Sequence, residues 1–304
     1  MVSPNARTAN DVARHYDQEV MLADASGAGL IWFLTRDCLS PPLSNSNEFA
    51  LDMSRWRDAT RERVLHLVGR MGIRSGEQVL DLGAGIGGPG RDIVARTGCD
   101  MKGVTLSVKQ IESLKRISDE HGSPYTDVRV GDMQQLAAPE ATFDHVFSIN
   151  AIYHVGDLAA VIHEASRVLR SGGRFGVDDW FTTARATPVT HARLRRTWST
   201  EGRGFHNIDA FVSTLPQYGF RIAEMIDYTA EAGTFLSEER FGRTYDEQAA
   251  PVLLQAFPWL YGGEFPHARQ AVRELRADIL YMGELYRNGQ AVYRQVIGEK
   301  TGTS

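Results

Sequence analysis

The sequence predicts an α/β protein: a mostly parallel seven-stranded sheet with helices on both faces, an N-terminal helical lid and a helical insertion before the last strand. Three observations predict it. The run Val79-Leu80-Asp81-Leu82 leads an apolar strand through an acid straight into a glycine-dense turn, Gly83-Ala84-Gly85-Ile86-Gly87-Gly88. From residue 78 onward, short apolar runs alternate with segments of helical periodicity, and strands joined through helices pair in parallel beneath a helical cover. Near the C-terminus that alternation is broken by residues 229–289, which carry helical periodicity before a final strand.

Taken in order, residues 1–56 form a lid or cap. A short helix over residues 9–20 carries Tyr16 and Asp17, and residues 27–47 mix Trp32 and Phe33 with Gly, Ser and the pair Pro41-Pro42. Two adjacent aromatics suit a pocket wall better than a linker. The core spans residues 57–228. Its first helix, 57–71, places Val64, Leu65, Val68 and Met71 on one face, and the first strand and glycine turn follow. The second strand, 101–105, leads to a helix over 108–120 with Val108, Ile111, Leu114 and Ile117 inward. The fourth strand, 143–150, is followed by a helix over 158–169 with Leu158, Val161, Ile162, Ala165, Val168 and Leu169 inward. The sixth strand is 219–228. In the insertion, Leu236, Phe241, Tyr245, Val252, Ala271, Val272, Leu275, Ile279, Leu280 and Met282 make either extra core or a substrate or subunit contact. Residues 290–304 close the chain with the last strand and a tail.

With 304 residues, 42% hydrophobic and 23% charged, the chain can bury one large core, so one elaborated domain is expected. A net charge of -5 argues against a nucleic-acid partner. Two cysteines, Cys38 and Cys99, give neither a disulfide framework nor metal spacing, which fits a reducing cytoplasm and no metal. No apolar run suits a membrane span, and no signal-peptide pattern opens the chain.

The glycine turn sets the ligand class. Glycines at 83, 85 and 87 describe a turn that a ligand can touch, since glycine takes positive φ freely and leaves the backbone bare. A dinucleotide dehydrogenase would carry an acid at the end of its second strand for the ribose hydroxyls, but that strand ends in Thr105. Asp81 lies instead before the first glycine, where a carboxylate meets an amine-bearing ligand and repels a phosphate. That placement favours S-adenosyl-L-methionine over NAD.

The order of these landmarks resembles a class I S-adenosylmethionine-dependent small-molecule methyltransferase with a Rossmann-like core. The motif from Val79 to Gly88 is similar to the family's first motif, which implies that Asp81 faces the methionine amino group while Gly83, Gly85 and Gly87 line the cofactor. Gly103-Val104-Thr105-Leu106-Ser107-Val108-Lys109-Gln110 resembles the second-strand motif of the branch holding tocopherol, cyclopropane-fatty-acid, sarcosine/dimethylglycine and prenyl-diphosphate C-methyltransferases. That likeness implies Thr105, Leu106 and Gln110 along the ribose. Gly131-Asp132-Met133 resembles the third motif, which implies Asp132 on the adenine amino group and Met133 on the ring. Asn150, ending the fourth strand, joins the cofactor contacts. Prenyl-diphosphate members carry a glutamate base at this position, and an amide cannot replace it.

A methyl acceptor should sit beyond the carboxyl ends of the strands. His154 resembles a histidine that small-molecule members place beside the substrate. It is either the base that takes the acceptor proton or a histidine bonded to a loop carbonyl. Tyr16 resembles the family's N-terminal tyrosine and either holds substrate and His154 or anchors a capping helix. Asp179 or Asp178 holds an acceptor N-H or caps a turn, and Trp32, Phe33, Trp180, Phe181 and Trp198 suggest walls for a flat or cationic molecule. The arginines at 193, 195, 196 and 203 suit a solvated helix face or, as the alternative, an anionic substrate. The expected reaction is C-methylation of an indole-like ring with proton removal by His154. N- or O-methylation of an amine or phenol and prenyl-diphosphate C-methylation are the alternatives. A cofactor-holding module without turnover and a dehydrogenase are remoter.

Overall fold

The computed structural model describes residues 53–120, 122–197, 205–251, 254 and 268–302. Tyr16, Trp32, Phe33, Trp198 and Arg203 lie outside the described residues. The elements run α1 (Met53–Met71), β1 (Gln78–Leu82), α2 (Gly88–Thr97), β2 (Asp100–Thr105), α3 (Val108–Glu120), β3 (Val128–Val130), β4 (Phe143–Ile149) and α4 (Leu158–Val168). They continue through β5 (Leu169–Thr182), α5 (Pro188–Thr197), α6 (Ile208–Thr214), β6 (Phe220–Asp227), α7 (Thr229–Phe235), α8 (Ala268–Arg287) and β7 (Ala291–Lys300). Two π-turns, Glu238–Gly242 and Tyr245–Ala249, lie between α7 and α8.

The seven strands form one sheet in the order β3-β2-β1-β4-β5-β7-β6. All neighbours are parallel except β7, which runs antiparallel to both β5 and β6. The α/β expectation and its mostly parallel sheet are therefore found. The reversal follows from the order of the chain: β6 leads into the α7–α8 segment, and β7 then returns between β5 and β6.

Successive strand residues face opposite sides, so Val79 and Phe147 point to one helical layer while Leu80 and Val146 point to the other. On the first side Val64, Leu67, Val68 and Met71 of α1 pack with Ile93 and Val94 of α2 and Leu114 of α3. Close contact is possible there because β5 carries Gly176, where a Cβ would lie 2.3 Å from the Met71 sulfur. On the second side Val161, Ile162, Ala165 and Val168 of α4 meet Phe175 and Val177. Asp157 caps α4 by accepting from the Ala160 amide at 3.1 Å, which fixes where that helix begins. Val108, expected inward, is 52% exposed because it opens α3 before the helix meets the sheet.

The segment between β6 and β7 turns its apolar residues into the molecule. Leu236, Phe241, Tyr245, Val272, Ile279 and Met282 form one cluster with Trp180 and Tyr293. At Gly283 of α8, an added Cβ would lie 1.9 Å from the Leu236 carbonyl oxygen, so α8 seats directly on backbone. Arg193 of α5, expected on a solvated face, instead bonds Asp278 of α8 at 3.0 Å and lies 3.7 Å over the Tyr281 ring. Among the described residues no helix is long and apolar enough to cross a membrane, and no cluster of His, Cys, Asp and Glu could hold a metal.

Candidate active site at the carboxyl ends of the strands

The turn between β1 and α2 holds Gly83, Gly85 and Gly87 at φ 83°, 53° and 75°, where a side chain is strained. Space matters as much as angle. A Cβ on Gly83 would fall 2.4 Å from the Ala151 Cβ and 3.2 Å from the Met133 Cε, and one on Gly87 would fall 2.6 Å from a Leu114 methyl. The Gly83 and Ala84 amides donate to the Val104 carbonyl at 3.0 and 2.9 Å, which ties the turn to β2. Asp81 is buried beneath this turn. Burial pushes its carboxyl up to about 7, against a hydrogen bond accepted from the Tyr125 hydroxyl at 3.1 Å.

On the β2 side, the Thr105 hydroxyl donates to the Gln110 Oε1 at 2.6 Å, joining the end of the strand to the start of α3. The Gln110 Nε2 lies 3.9 Å from where a Gly85 Cβ would stand, and Leu106, which follows Thr105, is half-buried. Asp132 follows β3, and its carboxylate accepts from the Gln134 amide at 2.8 Å and from that residue's Nε2 at 3.2 Å. Asp81, Gly83, Gly85, Thr105, Gln110 and Met133 thus converge on one recess.

Asn150 follows β4 directly with φ 48°, an unusual angle for a residue other than glycine, and its Oδ1 accepts from the Tyr293 hydroxyl at 2.8 Å. Tyr293 in turn accepts from Arg63 Nη1 at 2.6 Å. That same nitrogen meets both oxygens of Asp178, and Gln295 Nε2 reaches Asp178 at 3.2 Å. Burial opposes the Arg63 charge, but Asp178 and Tyr293 more than offset it and raise the guanidinium pKa. This buried network joins α1, β5 and β7 to the loop after β4. Arg63, Tyr293 and Tyr125 carry no local motif and were not foreseen.

His154 lies in a one-turn 3₁₀ helix, Ile152–His154, and is nearly buried. The turn is held from below by Asp179, whose Oδ2 accepts from the Ala151 and Ile152 amides at 3.0 Å each. Its other oxygen accepts from the Trp180 amide at 2.8 Å. Burial pushes the Asp179 carboxyl up to about 8, with these backbone donors opposing. Of the two readings of Asp179, acceptor ligand or turn cap, the hydrogen bonds match the turn cap, on the loop that carries His154.

Trp180 and Phe181 also separate. Both lie within β5, which runs on to Thr182, so their side chains point to opposite faces. Phe181 stacks on Phe211 at 5.1 Å in the core beneath α6, and this corrects its reading as a pocket wall. Trp180, 0% exposed, stays on the site's face with Tyr153 at 5.5 Å and Phe205 at 5.2 Å between ring centroids. Tyr153 stacks on Phe205 at 5.0 Å, and its ring centroid is 3.9 Å from that of His154. His145 stands apart, on Glu77 at 3.2 Å, and His163 is exposed on α4.

The family model described as a methyltransferase domain matches residues 80–177, from β1 to the middle of β5. Residues 80–177 form a class I S-adenosylmethionine-dependent methyltransferase domain. The chain is 31% identical over 257 residues to the sterol 24-C-methyltransferase of Yarrowia lipolytica, covering 81% of this chain and 60% of that protein. It is 40% identical over 119 residues to the sterol 24-C-methyltransferase of Aspergillus fumigatus, covering 39% of this chain and 32% of that protein. The chain therefore spans less than two thirds of the length of these curated relatives. In fold it is similar to the geranyl diphosphate C-methyltransferase of Streptomyces coelicolor A3(2), with a TM-score of 0.69 and 15% identity, covering 99% of this chain and 100% of that one. The cofactor of a methyltransferase domain of this class is S-adenosylmethionine. The residues fit it: the turn leaves no room for a Cβ at Gly83 or Gly87, and the buried Asp81 and the Met133 thioether border it.

Proposed function

We propose that this methyltransferase domain methylates an electron-rich carbon of a flat, largely apolar small molecule in specialised metabolism, an indole-like ring being the acceptor it suits best. One observation carries this reading: Tyr153, Trp180 and Phe205 gather into an aromatic wall beside His154, at the strand ends next to the glycine turn. In this reading Asp81 receives the cofactor ammonium. Gly83, Gly85 and Gly87 give it bare backbone, Thr105, Leu106 and Gln110 follow the ribose, and Asp132 and Met133 take the adenine. Asn150 completes that side. S-adenosylmethionine supplies an electrophilic methyl group on a sulfonium.

The protein's share is alignment, dryness and the proton. Held in line, the ring carbon needs little further activation. When the new C-C bond forms, positive charge spreads to the ring nitrogen, and the faces of Tyr153 and Trp180 favour that cation. Neutral His154 then takes the N-H proton, and the ring regains its aromaticity. Tyr16, from the lid, steadies His154 or the acceptor.

The identity to the sterol 24-C-methyltransferase of Yarrowia lipolytica favours a second reading, an olefinic carbon on an isoprenoid skeleton. The same wall would hold the carbocation, and His154 would take a proton from a neighbouring carbon. Mass spectrometry of products from indoles, phenols, amines and isoprenoid olefins separates these readings. A methyl on carbon of an indole supports the first, and a methyl on olefinic carbon alone replaces it with the second.

A further inference from the structure

We infer that α8 contributes Tyr286 to the acceptor site, where its hydroxyl hydrogen-bonds an N-H or O-H group of the acceptor. This deepens the reading of the aromatic recess as the acceptor site and rests on it. Tyr286 is 4% exposed and belongs to the same cluster as Tyr153, Trp180, Phe205 and Tyr293. Its Oη is buried and has no hydrogen-bond partner among the described residues. A buried hydroxyl with no partner loses its hydration and gains nothing in return, so a group outside the chain is the natural partner.

The mount is rigid. Three residues before Tyr286, Gly283 seats on the Leu236 backbone, and one residue after it, Arg287 donates to the Gly233 carbonyl at 2.6 Å. Below it the Gly289 amide donates to the Tyr286 carbonyl at 3.2 Å, closing the helix. The charged and titratable groups that face the phenol are Tyr293, Asp179, Arg63 and Asp178, which places it at the carboxyl end of β5. Burial, the largest influence, together with most of these neighbours, holds its pKa well above the usual phenol range. The group therefore stays protonated and orients the acceptor without serving as base.

The test uses the full chain, Tyr286→Phe, and two probe pairs: indole with 1-methylindole, and farnesol with its methyl ether, each titrated into protein saturated with S-adenosylhomocysteine. The expected result is an unfolding temperature equal to or above wild type and unchanged S-adenosylhomocysteine affinity. Binding of the N-H or O-H probe should weaken about tenfold while its methylated partner binds equally to both proteins. A lowered unfolding temperature with no change in probe discrimination would make Tyr286 structural and overturn the inference. Equal discrimination by both proteins would also overturn it and leave the acceptor site standing, with water as the hydroxyl's partner. Failure of all four probes to bind wild type, with cofactor binding intact, would overturn the acceptor site itself and the inference with it.

Discussion

The Tyr125 hydroxyl donates to the Asp81 carboxylate at 3.1 Å beneath the glycine turn, and that carboxyl is otherwise buried. Tyr125 is held in place by two glycines. A Cβ on Gly90 would lie 2.2 Å from its ring, and one on Gly103 would lie 2.4 Å from its hydroxyl.

Cofactor binding should depend on pH through Asp81. With its carboxyl near 7, the free protein holds it mostly protonated at pH 6 and mostly ionised at pH 8, and only the carboxylate pairs with the cofactor ammonium. Affinity for S-adenosylhomocysteine should therefore rise about tenfold from pH 6 to pH 8 and then level off. Asp81→Asn should bind weakly with a flat profile, as calorimetry across that range would show. Stability of the free protein runs the other way. A carboxyl with a raised folded-state pKa costs stability as pH climbs from the unfolded value, near 3.8, to about 7.

Gly103→Ala and Gly90→Ala should each force Tyr125 aside. Overpacking of this kind costs about 1–3 kcal/mol, and cofactor affinity should fall with it. Tyr125→Phe should move the midpoint of the pH profile upward, because the bond it removes favours the Asp81 carboxylate. A midpoint that stays in place would separate the phenol from the site.

Arg63 and Asp178 are both fully buried, so removing one partner strands a charge. Asp178→Leu alone should cost about 3–5 kcal/mol, and the pair Arg63→Met with Asp178→Leu should regain much of it. Chemical denaturation reads this. A double variant no better than the single ones would show that the network, with Tyr293 and Asn150, contributes more than the pair.

His154→Ala should lower the rate of transfer about a hundredfold with cofactor affinity unchanged. Asp179→Ala should lower it as well, by releasing the Ala151 and Ile152 amides that set the His154 turn. An unchanged rate in both would place the proton acceptor elsewhere.

What was legible in the sequence was local. Periodicity placed α4 and β1 within a residue of their ends, and the glycine spacing located the recess, because those signals depend on neighbours in the chain. Errors arose where a short range was misjudged. Trp180 and Phe181 read together as walls because they are adjacent, yet both lie within β5, where pleating sends one to the recess and the other to the core. Arg193 looked solvated because Asp278 and Tyr281, its partners, lie far along the chain. Arg63, Tyr293, Phe205 and Tyr286 left no signature, since only the sheet order, with β7 set between β5 and β6, brings them to the site.

The central claim is methyl transfer with S-adenosylmethionine, and the most direct measurement is incubation of the full chain with isotopically labelled cofactor and an indole panel, read by mass spectrometry. The account predicts a product heavier by one labelled methyl group on carbon, with stoichiometric S-adenosylhomocysteine. Cofactor bound tightly and returned unchanged, with no acceptor in the indole, phenol, amine or isoprenoid panels methylated, would contradict it.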